Sequence, residues 1–176
     1  MHVELKTERL LLRPLDISDL ETVHAYASDR ENTRYMLFLP NDTLEETRAF
    51  LHGVTAEWQK EKPLTYEFAV VLDGRQIGAV SVELEDSGTE GELGWILHRD
   101  FWHKGYAAEA ALAVRNFAIQ QLGVMRLVAH CDARNTASSR VMEKLSMRLE
   151  DADGWRTYPK TGETARELMY GITVSD

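Results

Sequence analysis

Trp102-His103-Lys104-Gly105-Tyr106-Ala107-Ala108-Glu109-Ala110 is the stretch on which the fold turns. Before it, residues 92–97 read as a strand. After it, residues 107–118 are largely Ala, Leu, Val and Phe and end near Gly123. A helix with so little polar surface packs against a sheet. Residues 127–131 then read as the next strand. A strand that passes through a helix to another strand needs a crossover above a partly parallel sheet. At the loop–helix junction the first N–H groups of the helix have no intrahelical partner and point forward, where a pyrophosphate can bind. Gly105 allows close approach and unusual backbone angles, and Ala107 and Ala108 keep side chains away. Taken alone, the stretch equally fits a glycine turn before a tightly packed Ala helix.

Outward from this unit the periodicity predicts the remaining elements. Residues 7–13 alternate, with Leu10 and Leu12 facing one way, and form a strand that Pro14 breaks. Ser18 followed by Glu21, and Thr43 followed by Glu46, are capping-box signatures for two helices. Leu20, Val23 and Ala27 form the stripe of the first; Phe50, Leu51, Val54 and Trp58 form that of the second. Residues 68–72 and 77–82 are strands joined by the Asp73-Gly74 turn. Residues 135–145 are helical, and residues 147–155 and 167–173 complete the set as strands. The order is strand, two helices, three strands, helix, strand, helix, two strands. It defines an α/β domain with mixed α+β layers, a central mixed sheet flanked by helices, over residues 1–176 with no internal boundary.

The formal charge is 20 minus 29, or −9. That disfavours loose attraction to nucleic acid or to an anionic membrane, but not an anionic cofactor held by backbone N–H groups. Glu83, Glu85, Asp86, Glu90 and Glu92 fall together without a Lys or Arg among them. They form either a solvated hairpin rim or a funnel for a cationic acceptor. Cys131 is the only cysteine, so no intrachain disulfide is possible and a reducing, cytoplasmic setting is expected. The opening Met1-His2-Val3-Glu4 carries no signal-peptide pattern, and no apolar run approaches a membrane span. There is no GxxxxGK[ST] and no GxGxxG, so phosphoryl and hydride transfer lack motif support. The six histidines show no metal-ligand spacing, and no metal is expected.

Taken together, the chain resembles the GNAT superfamily of N-acetyltransferases, specifically the branch of ribosomal-protein N-terminal acetyltransferases. The resemblance runs from Thr7-Glu8-Arg9-Leu10-Leu11-Leu12-Arg13-Pro14 through Glu92-Leu93-Gly94-Trp95 and the loop. It continues in Asn135-Thr136-Ala137-Ser138 and Glu143-Lys144-Leu145. It implies the GNAT acyl-CoA N-acyltransferase fold, with acetyl-CoA as co-substrate and a primary amine as acceptor. The acceptor is either a peptide N-terminus or a small cationic amine such as a polyamine or aminoglycoside. A non-catalytic acyl-CoA-binding module on the same fold is the alternative, and monomer and homodimer both stay open. The superfamily signature Gln/Arg-x-x-Gly-x-Gly/Ala places Gly105 and Ala107 at its last two fixed positions, with Trp102 at the first. By resemblance, Leu97, Trp102, His103, Lys104, Gly105, Tyr106, Ala107 and Ala108 bind the cofactor, and Asn135 and Ser138 meet its pantetheine or thiol end. Ser146-Met147 replaces the usual Gly-Phe, and Met142 stands where many relatives carry a Tyr as general acid.

Glu92 is the expected acceptor of the amine proton, directly or through one water, and Ser138 the group that stabilises the departing thiolate. Each also has a plainer role: a strand-end carboxylate in one case, a backbone-bonded serine in the other. Asn135 is an N-cap in any case. Cys131 is a buried structural thiol, because His130 beside it points to the opposite face and cannot serve as its base. His98 and His103 flank the loop as solvent or acceptor-binding groups. Trp95 and Trp102 are packing residues. Tyr35, Met36, Phe38 and Leu39 line either an acceptor pocket or an interhelical core.

Overall fold

The structure, a computed structural model, describes residues 3–174. Met1 and His2, on which part of the N-terminal expectation rests, lie outside the described residues. Eight strands form one sheet in the order β1-β2-β3-β4-β5-β6-β8-β7. They are β1 (Leu5–Lys6), β2 (Leu11–Pro14), β3 (Thr65–Leu72), β4 (Arg75–Leu84), β5 (Glu90–Leu97), β6 (Arg126–Asp132), β7 (Arg148–Thr157) and β8 (Thr164–Thr173). The helices are α1 (Leu20–Ala27), α2 (Leu44–Trp58), α3 (Tyr106–Gln121) and α4 (Thr136–Lys144). Every strand pair is antiparallel except β5 with β6, which is parallel and joined through α3. The mixed sheet flanked by helices is therefore the observed fold.

Several local expectations are refined. Of the alternating segment 7–13 only residues 11–13 are strand, in β2; residues 7–10 turn the chain back from β1, the Thr7 N–H donating to the Leu10 carbonyl at 3.0 Å. Leu10 and Leu12 are both buried, as the alternation requires. Pro14 closes β2 opposite Phe68 rather than lying beyond it. The Ser18/Glu21 box is not used. Asp16 caps a 3-10 turn over Ile17–Asp19 instead, accepting from Ser18 N at 2.7 Å while Asp19 accepts from Asp16 N. Asp19 is committed there because Arg13 grips its carboxylate at 2.6 Å. Thr43 caps α2, but the Glu46 carboxylate turns to Asp42 N, so only half of that box forms. Phe50 is 45% exposed, and Thr47 takes its place on the buried face. The Asp73-Gly74 turn is present, with both residues at positive φ as a tight hairpin needs.

Trp58, Tyr66, Phe68 and Phe117 form an edge-to-face aromatic cluster with centroids 5.1–5.5 Å apart. It ties the end of α2 and the middle of α3 to β3, burying the face that the Ala-rich helix presents. Among the described residues, no helix is long and apolar enough to cross a membrane.

Candidate active site

The parallel pairing of β5 with β6 is short. It comprises Glu90↔Arg126, Gly91↔Leu127 and Glu92↔Val128, after which residues 93–97 and 129–132 run on without pairing to each other. The sheet opens into a fork whose vertex is Glu92 and whose mouth lies at the C-terminal ends of the two strands. Both strands then lead into helix starts, α3 and α4, which therefore stand at that mouth. The C-terminal ends of parallel strands are where such folds take ligands, since helix N-termini gather there.

The loop before α3 carries the donors. Neither the backbone hydrogen bonds nor the side-chain contacts give the N–H groups of residues 103–108 an acceptor among the described residues. His103 at φ 60° and Gly105 at φ 83° turn the chain so that these six successive amides precede the first intrahelical bond. Such a run of orphan donors fits a pyrophosphate. His103 and Lys104 are exposed, and Tyr106, Ala107 and Ala108 are half-buried. Trp102 offers no donor. Its N–H goes to Arg99 O and its indole Nε1 to the Leu97 carbonyl at 2.9 Å, so only ring surface remains. The Leu97 carbonyl also accepts from Asn32 Nδ2 at 3.0 Å. Leu97 is opposite Gly78, and the His98 N–H donates to Ile77 O, which turns Leu97's own backbone groups toward the fork.

Two clasps hold this loop. Asn32 joins its entrance, donating to Leu97 O and accepting from Arg99 N at 2.6 Å. Arg9 joins its exit: Nη1 donates to the Lys104 carbonyl at 3.0 Å, Nε donates to Glu109 at 2.7 Å, and the guanidinium lies 4.5 Å from the Tyr106 ring centroid. Burial alone would push the Glu109 carboxyl up, but Thr7 and Arg9 hold it below its ordinary value. Arg9 thus compensates a carboxylate that otherwise sits in the first turn of the helix facing an anionic ligand. Arg9 was visible in the opening motif, though nothing there linked it to residue 104.

At the α4 mouth, Asn135 is the N-cap, its Oδ1 accepting from Ser138 N at 3.2 Å. The Ser138 hydroxyl is half-buried and makes no hydrogen bond to a described residue. Met142 and Leu145 are fully buried below it, so the position taken by Tyr in many relatives is core here. Asp132 closes β6. Burial raises its carboxyl, but hydrogen bonds from Arg134 and Tyr158 prevail and hold it at about 2. Tyr158 donates to it at 2.6 Å.

The vertex holds a contact that alternation alone did not reveal. Glu92 Oε1 lies 2.8 Å from His130 Nδ1. Val128 is opposite Glu92, and His130, two residues on, shares its face. The Glu92 hydrogen bond raises the His130 pKa against the opposing effect of burial. Cys131 faces the other way, is buried, and has its thiol pushed by burial up to about 11, so it is no nucleophile at neutral pH. The acidic cluster divides. Glu90 faces Arg126, Glu83 stands opposite Glu92 on the sheet, and Glu85 lies in the hairpin turn. The 35–39 segment is a loop that gives only Leu39 to the edge of the core: Phe38 is 74% exposed, and Tyr35 lies against Arg134 and accepts through its carbonyl from Arg156 Nη1. His98 caps the 3-10 turn after β5.

A forked parallel pair with amide donors at its mouth defines an acyl-CoA-dependent acyltransferase fold, and the comparisons agree. Residues 9–148 match the family model of the acetyltransferase (GNAT) domain, so the chain belongs to the GNAT acetyltransferases, enzymes that use acetyl-CoA. It is 31% identical to the uncharacterized N-acetyltransferase YnaD of Bacillus subtilis, covering 98% of this chain and 96% of that one. It is 32% identical to a GNAT-family acetyltransferase of Bacillus anthracis of solved structure, with a TM-score of 0.84 over 97% and 98% of the two chains. A RimL ribosomal L7/L12 alpha-N-protein acetyltransferase in complex with coenzyme A shares the fold at 19% identity, with a TM-score of 0.86 over 98% of each chain.

Proposed function

We propose that this enzyme acetylates a primary amine by direct attack, and that the acceptor is a protein N-terminal α-amine. The observation that carries the proposal is the fork, with a carboxylate–imidazole pair at its vertex and two helix starts at its mouth. Acetyl-CoA supplies the acetyl group as a thioester. The amides of residues 103–108 bind the pyrophosphate on the Gly105 turn, with Trp102 contributing ring surface. The backbone of Leu97 and the Asn135 cap flank the pantetheine. Glu92 serves removal of the acceptor proton, and the Ser138 hydroxyl, without a partner among the described residues, hydrogen-bonds the departing thiolate. No step passes through Cys131. The α-amine class is supported by the opening Thr7-Glu8-Arg9-Leu10 motif and by the acceptor of the RimL enzymes that share the fold. A small cationic amine is the second reading, favoured by Glu83 and Glu92 facing each other across β4 and β5.

The test is thiol release from acetyl-CoA across peptide α-amines, polyamines, aminoglycosides and amino-acid analogues. Release with peptide α-amines above all others is expected. Preference for a polyamine moves the acceptor to the second reading. Binding of acetyl-CoA without turnover on any amine overturns the enzyme in favour of a binding module.

A further inference from the structure

We infer that His130 takes the proton from the acceptor amine through Nε2, and that Glu92 is the residue that positions it. The inference rests on the amine-acetylation proposal and names the atom that proposal leaves open. Glu92 Oε1 and His130 Nδ1 are 2.8 Å apart, so the proton on Nδ1 is donated to the carboxylate and the free lone pair is on Nε2. Nε2 has no hydrogen bond to any described residue, and the side chain is 27% exposed at the fork. The contact is built by register. Glu92 is the last residue of β5 paired to β6, and His130 is the first residue on its face beyond that pairing.

Chemistry separates the two groups. A peptide α-ammonium has a reference pKa of about 8 and an ordinary carboxylic acid one of about 4.3, so direct transfer to a carboxylate is uphill by roughly 3.5 units. Imidazole, at about 6.5 before any shift, cuts that to roughly 1.5 units. The Glu92 hydrogen bond, and then the charges of Glu92 on β5 and Glu167 on β8, favour the protonated form of His130, while burial and Arg156 on β7 oppose it. The other carboxylates in the neighbourhood are Glu83 on β4, opposite Glu92, and Asp132 on the same strand as His130, which is held by Arg134 and Tyr158. Arg156 and Glu167 are paired at 2.7 Å and largely offset each other, leaving a negative balance.

In the step, the ammonium passes one proton to His130 Nε2, and the freed nitrogen pair forms the C–N bond to the acetyl carbonyl carbon. The C–S bond breaks, with its electron pair leaving on sulfur. The second nitrogen proton is lost as the thiolate gains one, and His130 returns its proton to solvent. The sum is ammonium and thioester to amide, thiol and one proton.

The experiment compares native enzyme, His130→Gln and Glu92→Gln on the best acceptor of the panel, as kcat/KM against pH. Thermal midpoint and acetyl-CoA affinity of each variant serve as controls for folding. Imidazole NMR follows His130 in native enzyme and in Glu92→Gln. His130→Gln is expected to lose ~10²-fold near neutral pH, with the loss shrinking at alkaline pH as the acceptor becomes neutral by itself. Glu92→Gln is expected to lose about 10-fold. Its His130 titration, and the matching limb of the profile, should move to lower pH. A rate near native in His130→Gln beside a large loss in Glu92→Gln overturns the inference, and Glu92 is then the direct base. An unshifted His130 titration in Glu92→Gln overturns the positioning role. Native enzyme that binds acetyl-CoA and acetylates nothing overturns the proposed function itself, a result distinct from either of the others.

Discussion

At Gly105 one backbone angle, φ 83°, sets how the loop presents its amides. A side chain there is strained, because the left-handed region costs a non-glycine residue about 1–2 kcal/mol. A Cβ would also stand 3.3 Å from Arg9 Nη2. Gly105→Val therefore disturbs the orphan donors and the Arg9 clasp together, while Gly105 itself stays exposed and outside the core. Loss of one charge-assisted hydrogen bond is worth ~10-fold in affinity, and that or more is the weakening expected in an acetyl-CoA titration, with a thermal midpoint lowered by only a few degrees. Unchanged affinity in a folded variant would remove the loop from cofactor binding. Gly105 was legible in sequence through its place in the superfamily signature, since a glycine before an Ala-rich helix by itself fits a plain turn equally well. His130 was not. The alternation that correctly separates it from Cys131 says nothing of which residue of a distant strand it faces.

At the scale of the element, the start of α3 is only as good an anion site as its setting permits. Glu109 in the first turn would oppose a pyrophosphate, and Arg9 answers it from the turn between β1 and β2. The same guanidinium holds the Lys104 carbonyl, fixing the direction of the amides that follow. Arg9→Gln is expected to weaken acetyl-CoA binding ~10-fold, since one charged partner and its directed hydrogen bonds are lost. Arg9→Lys should rescue little of it, because an ammonium cannot span Glu109 and Lys104 O together. The acceptor KM should hardly move. A shared loss in both constants, or full rescue by lysine, would mean that Arg9 acts through general charge or stability.

At the scale of the molecule, the α1–α2 loop is held against the C-terminal strands by long cations. Arg156 on β7 is buried, pairs with Glu167 at 2.7 Å and donates to the Tyr35 carbonyl; Lys160 reaches Asp42 and Glu46. Removing Arg156 leaves Glu167 largely buried without its partner, a change that costs about 3 kcal/mol. Arg156→Met should lower stability to urea by that order and raise the acceptor KM, because the 35–39 segment loses its anchor. Acetyl-CoA affinity should stay near native, the clasps at Asn32 and Arg9 being intact. An unchanged acceptor KM in the folded variant would take this loop out of the acceptor site.

Local chemistry along the chain determined the order of elements from the first helix onward, the loop before α3, the Asn135 cap and the inert buried thiol at Cys131. Each depends on periodicity or on a few adjacent residues. The tertiary structure decided what depends on pairing. It moved the first capping box to Asp16 because Arg13 claims Asp19, buried Thr47 in place of Phe50, and brought Asn32 and Arg9 to the two ends of one loop. Most of all, it stopped the β5–β6 ladder at Glu92↔Val128, which opens the fork and sets His130 beside Glu92. Alternation gives a residue its face, but only the register between strands gives it a neighbour.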